Sequence, residues 1–238
     1  MKSSSEADTT AAARRALAYL PAGTRIRATI YPVIKPQTNS FVFETASDPA
    51  IFMYLDPNVP RPKLENTLAH ELHHIGYAAA CGAQAPEGMP EGVATAMGWA
   101  GAFGEGLAML AAAGGPDIHP HAVSAPGERA RWDADVAGVP ADLARVETFF
   151  LDVIEGKLEE GAIRETAMGF FGVQGPWYTV GWSMSTAIEQ IYGRDRLIEV
   201  MCDSRLLIAT YNAAAMESTS NGRPRPLWSD RLMERLGP

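Results

Sequence analysis

The chain has 238 residues, 47% of them hydrophobic and 20% charged, an ordinary globular composition that excludes wholesale disorder. A formal net charge of −8 argues against a general nucleic-acid binder, which needs a basic footprint. Cys81 and Cys202 are too few for a disulfide framework and lack the pair spacing of a thiolate zinc site.

In chain order, the N-terminus carries polar Ser3 to Thr10 after Lys2, and Arg14 and Arg15 interrupt the next apolar stretch. A secretory signal needs an unbroken apolar h-region, so none is visible and a cytoplasmic location is expected. Thr9 to Leu20 reads as a short helix ending before Pro21. Thr24 to Ile34 alternates loosely around Ile26, Thr29, Ile30, Val33 and Ile34. Phe41-Val42-Phe43 and Ile51 to Leu55 are compact apolar runs. These three segments predict the strands of a small sheet. Pro60-Arg61-Pro62 then marks a helix start.

The helix predicted over Pro62 to Ala80, closed by Gly82, contains His70-Glu71-Leu72-His73-His74, an H-E-x-x-H motif. Residues four apart share a helix face, so His70 and His74 can chelate one ion. Leu64, Leu68, Leu72, Ile75 and Ala79 form an apolar stripe about 80° wide at about 100° per residue, with the two histidines roughly 140° away. Glu71 lies between the faces, where it can meet a metal-bound water. His73 lacks the glutamate placement and reads as a neighbouring or surface residue.

A catalytic zinc site takes three protein ligands and keeps a position open for water, so a third ligand must come from elsewhere. Tyr77 and Ala80 stand where the metzincin pattern would place Gly and His. A glutamate on a downstream helix remains. Met89 to Ala113 predicts that helix, breakable at its glycines and closed by Gly114-Gly115-Pro116. Two candidates share the form E-G-[V/L]-A: Glu91 and Glu105. Glu91 follows Pro90 in a first helical turn, where the dipole favours a glutamate anyway. Glu105 is the single charge between Gly92 and Pro116, and a buried carboxylate needs a partner or a metal. Glu105 is therefore preferred over Glu91, and Gly104 and Gly106 would let its helix approach another backbone closely. The same near-chargeless stretch is built from Ala and Gly, has no Lys or Arg flank and holds a central carboxylate, so a buried helix is preferred to a membrane span.

His119 and His121 follow in a loop, as cleft-lining or solvated residues. Pro126 to Ala137, Ala141 to Ile154, Leu158 to Phe170, Trp177 to Tyr192, Leu197 to Met201 and Arg205 to Met216 predict further helices, with a short terminal one. Tyr178, Trp182, Ser185 and Glu189 share a face of their helix. The expected fold is α+β and mostly helical, one domain over residues 1–238, with strands mainly in 1–60 and helices in 61–238.

With these residues the chain resembles the gluzincin clan of zinc metallopeptidases, and more closely some bacterial families of zinc-dependent peptidases. The resembling segments are T-L-A-H-E-L-H-H-I-G-Y (67–77), A-F-G-E-G-L-A-M-L-A-A-A-G-G-P-D (102–117) and W-Y-T-V-G-W-S-M-S-T-A-I-E-Q-I-Y-G (177–193). The glutamate ligand of thermolysin-like members falls about 20 residues past the second histidine, where this chain has Ala94, a departure from those members. The resemblance implies a zinc ion held by His70, His74 and Glu105, and hydrolysis of a peptide or protein substrate by a zinc-activated water. Glu71 would be the general base and Tyr178 an oxyanion donor or a packing tyrosine. It also implies an edge strand beside the cleft ahead of the zinc helix, a position that Ile51 to Leu55 occupies. A zinc-keeping binding protein without activity, and a zinc hydrolase of non-peptide amides, are the competing functions; the intact Glu71 speaks against the first.

Overall fold

The computed structural model describes residues 8–35, 39–45, 47–56, 58–82 and 88–237; residues 1–7 of the segment read for a secretory signal lie outside that range. By internal contacts the chain forms two units, residues 1–83 with 108–129, and residues 84–107 with 130–238.

The first unit begins with helix α1 (Thr9–Leu17), capped by Asp8, whose side chain accepts from the Ala11 N–H. Three strands follow: β1 (Thr29–Val33), β2 (Phe41–Phe43) and β3 (Ala50–Tyr54). They pair in the order β1-β3-β2, with β1 parallel and β2 antiparallel to β3. The strand over Ile51–Leu55, expected at an edge, is thus the central one. The reason lies in composition. β3 is an uninterrupted apolar run, which suits pairing on both sides. β1 carries Pro32, which has no N–H to give and belongs at an edge, and β2 is only three residues long.

Ile51 and Met53 bury the inner face of the sheet against Leu64, Leu68, Leu72 and Ile75 of the long helix α2 (Arg61–Cys81), with Ala12 and Ala16 of α1 in the same core. Ala79, at the end of the expected stripe, is exposed. On the other face Tyr31, Phe52 and Phe41 are in register and stack at centroid distances of 5.3 and 5.1 Å. Edge strand β2 also packs beside α2. Gly82, at φ 65, ends α2 in a conformation that a side chain would strain. Cys81 and Cys202 are both disulfide-bonded, and no free cysteine is present.

The expected second long helix is broken: α3 (Glu91–Ala100), a 3₁₀ turn (Gly101–Phe103) and α4 (Gly104–Ala113). α4 starts in the second unit and ends in the first, as does, in the reverse sense, α5 (Pro126–Ala137). The remaining helices are α6 (Val139–Ile154), α7 (Glu160–Gly169), α8 (Pro176–Tyr192), α9 (Arg194–Val200), α10 (Ser204–Ser220) and α11 (Asp230–Leu236). α8 is the buried hub of the second unit, and Trp177 meets Phe103, Phe150 and Phe170 at ring distances of 5.2 to 6.1 Å. The fold is α+β and mostly helical. Among the described residues no helix is long and apolar enough to cross a membrane.

Candidate metal centre

His70 and His74 lie one turn apart on α2, both half-buried. Their rings stand edge to face with centroids 4.6 Å apart, and their Nε2 atoms converge to 3.0 Å. Two nitrogens on one tetrahedral zinc, at the usual bond length, stand about 3.3 Å apart, so the pair is arranged as two ligands of one ion would be.

Glu105 is the second residue of α4. Its carboxylate joins the two histidines in a group whose ligand atoms all lie within 4.8 Å of one another, the one set among the described residues that could hold a metal ion. Ala112, two turns further along the same helix, belongs to the core that packs α2. The N-terminal end of α4 is set by contact with α8. A Cβ on Gly106 would stand 1.9 Å from the Trp182 nitrogen, and one on Gly181 would stand 2.5 Å from the Phe103 carbonyl oxygen. Only glycine admits such an approach. Gly106 therefore plays the part expected of it, whereas Gly104 faces open space within 4 Å and does not. Gly181 carries a sequence signal of its own, because a glycine inside a strong helix pattern costs about 1 kcal/mol against alanine and calls for a packing reason.

Glu71 is 7% exposed, and among the described residues no hydrogen bond or ion pair engages its side chain. A nearly buried carboxylate in that state needs a partner that is not protein. Two imidazoles and a carboxylate are also the donor set of three-ligand hydrolytic zinc sites. On both observations the residues present fit a zinc ion and a water.

His73 is fully buried rather than at the surface. Its Nε2 donates to the Tyr19 carbonyl at 3.3 Å, which leaves Nδ1 as a buried acceptor with no partner among the described residues. Burial, reinforced by His74 and His70, holds its pKa down at about 3. It is a neutral packing residue beneath the segment that follows α1. The sequence hid this because α1 covers a second side of α2 that the apolar stripe does not mark.

Glu91 is exposed at the start of α3 and is not in the group. Tyr178 is half-buried in the first turns of α8, its carbonyl oxygen 2.5 Å from where a Gly106 Cβ would stand. His119 and His121 form a local turn after α4. The His121 N–H donates to His119 Nδ1 at 2.9 Å, and His121 Nδ1 lies 3.0 Å from Ser124 Oγ. Neither belongs to the metal group.

A family model described as "Putative zinc dependent peptidase (DUF5700)" matches residues 1–220. No curated protein and no solved structure matches the chain.

Proposed function

The chain belongs to that family of putative zinc dependent peptidases, and from that premise we propose that it is a gluzincin-type metallopeptidase hydrolysing peptide bonds. The observation that carries the reading is the convergence of His70, His74 and Glu105, with nearly buried Glu71, whose carboxylate no group among the described residues engages, between the two histidines in α2. Zinc, when bound, supplies a Lewis acid for the scissile carbonyl and lowers the pKa of water towards about 7.

The chain's own residues supply the rest. The Nε2 atoms of His70 and His74 and a carboxylate oxygen of Glu105 hold the ion. Glu71 takes a proton from the attacking water and passes it to the leaving amine, which its place on the helix between the two histidines permits. The Tyr178 hydroxyl donates a hydrogen bond to the carbonyl oxygen as it gains negative charge. β2 is the edge strand next to α2, so its free backbone edge is where an extended peptide adds as a further strand. The disulfide-bonded state of Cys81 and Cys202 supports work in an oxidising compartment in place of the cytoplasm expected from the N-terminus.

The test is Glu71→Gln, assayed on a mixed peptide library with zinc content measured in parallel. The variant is expected to keep stoichiometric zinc and lose about 10²–10⁴-fold in kcat. Full activity in a zinc-loaded Glu71→Gln protein would end the reading.

A further inference from the structure

α4 has an open carbonyl in its last turn. The Ala112 C=O would be met by the N–H of residue 116 if the helix continued, but residue 116 is proline and has none. Ala112 is buried, so water does not serve it freely. Arg15 serves it instead: its Nη1 donates to the Ala112 oxygen at 2.8 Å. The same nitrogen donates to Asn66 Oδ1. Asn66 lies on α2 one turn ahead of His70, and Ala112 lies seven residues after Glu105, about 6 and 10 Å along their helices. One guanidinium nitrogen on α1 thus bridges the helix of the histidine pair to the helix of the glutamate.

The guanidinium is half-buried, with the Glu65 carboxylate as its charge partner. Burial lowers its pKa and the Glu65 carboxylate offsets this. Glu65 is itself engaged by Arg61 at 2.7 Å and by the Asp8 N–H at 2.9 Å. A positive group at a helix C-terminus also complements the dipole of α4. Such a site determines geometry as well as stability, because a guanidinium presents its donors in a fixed plane and directs them at two acceptors at once.

We propose that Arg15 is a positioning residue for the metal centre, bridging Asn66 and the Ala112 carbonyl so as to fix the separation of His70 and His74 from Glu105. This rests on those three side chains holding the zinc. Arg15 touches no ligand, so its removal is expected to change zinc affinity by no more than the low end of the about 10–100-fold typical of groups bonded directly to a ligand.

The full chain is titrated with zinc against a chromogenic chelator, and its cobalt-substituted form gives the ligand-field spectrum. Arg15→Ala is expected to weaken zinc by about tenfold and to shift the cobalt bands; Arg15→Lys, which keeps charge and donors but not the planar fork, recovers affinity only in part. Asn66→Ala is the decisive variant, because it removes one arm of the bridge and leaves the Ala112 carbonyl capped, so folding is spared. It is expected to weaken zinc measurably and to shift the same bands. Wild-type affinity and an unshifted cobalt spectrum in Asn66→Ala overturn the proposal, whatever Arg15→Ala does. His74→Ala is the control on the premise: if it binds zinc as tightly as the wild type, the metal assignment itself fails. If His74→Ala abolishes binding while Asn66→Ala changes nothing, only the bridge fails.

Discussion

A methyl group added at Gly106 would stand 1.9 Å from the Trp182 nitrogen, 2.3 Å from the Gly181 carbonyl carbon and 2.5 Å from the Tyr178 carbonyl oxygen. All three are main-chain atoms of α8, so no side-chain rotation relieves the clash. Restoring an ordinary contact for the nearest atom requires α4 and α8 to separate by roughly 1.5 Å, and close-packed interiors transmit such a shift rather than absorb it. Overpacking of this kind costs about 1–3 kcal/mol. For a chain of this length that lowers Tm by about 2–12 °C. The sign is the informative part, because Gly→Ala inside a helix otherwise stabilises by about 1 kcal/mol. Gly104 supplies the comparison. It has helical φ and ψ of −52° and −25°, and no atom lies within 4 Å of its Cβ position. Gly104→Ala is expected to raise Tm by about 2–4 °C, two residues from a substitution that lowers it. Circular dichroism melting of both variants reads this directly. Glu105 adjoins Gly106, and metal–ligand distances tolerate only about 0.2 Å, so zinc affinity should fall with Tm in Gly106→Ala. Melting at or above the wild-type temperature would refute the packing argument and with it this account of how Glu105 is placed.

Three further outcomes follow from other parts of the molecule. Glu105→Ala should lower zinc affinity by at least about tenfold while exposed Glu91→Ala leaves it unchanged, as measured by chelator competition; the reverse pattern would reassign the third ligand. Glu155 is engaged by Lys157 at 2.8 Å, Arg231 at 2.6 Å and Arg235 at 3.7 Å, and the hydrogen bonds from Lys157 and then Arg231 hold its carboxyl down at about 2. A depressed folded-state pKa gives stability that is present above the unfolded value near 4.5 and is lost as pH falls towards 2. The stability gap between wild type and Glu155→Gln, read by urea melts, should therefore be present at pH 7, smaller at pH 3 and reduced by salt; an equal gap at both pH values would contradict it. Thiol titration of the denatured, unreduced protein should find no free thiol before reduction and two after it, and two free thiols at the outset would remove the ground for proposing an oxidising compartment.

What could be seen in the sequence and what could not divides along a physical line. The H-E-x-x-H helix was legible because its evidence is local: period and motif lie within the 21 residues of α2, and the closing Gly82 follows directly. Glu105 was legible because a lone charge in an apolar stretch declares a need for a partner. The order of the strands was not, because each strand reveals its own burial but not its neighbours, and the expected edge over Ile51–Leu55 took the centre once β1 and β2 proved the poorer strands. The surface alternative for His73 fails for the same reason. Its burial is made by Tyr19 and the segment after α1, more than 50 residues away, and nothing in the α2 pattern marks a second covered face.

Arg15 shows both halves of this at one site. Pro116 removes the N–H that the Ala112 carbonyl would use, so the sequence already contains an open acceptor at the end of α4. It does not contain the identity of the group that closes it, which stands 97 residues earlier. Local rules state the demand, and long-range packing chooses the supplier. A functional centre assembled from two helices depends on such choices more than a core does. A core tolerates any apolar side chain of about the right volume, whereas three metal ligands must meet within a few tenths of an ångström. If the proposed reading holds, Gly106, packed against α8, and Arg15, between Asn66 and Ala112, are where substitution should cost metal affinity without touching a ligand.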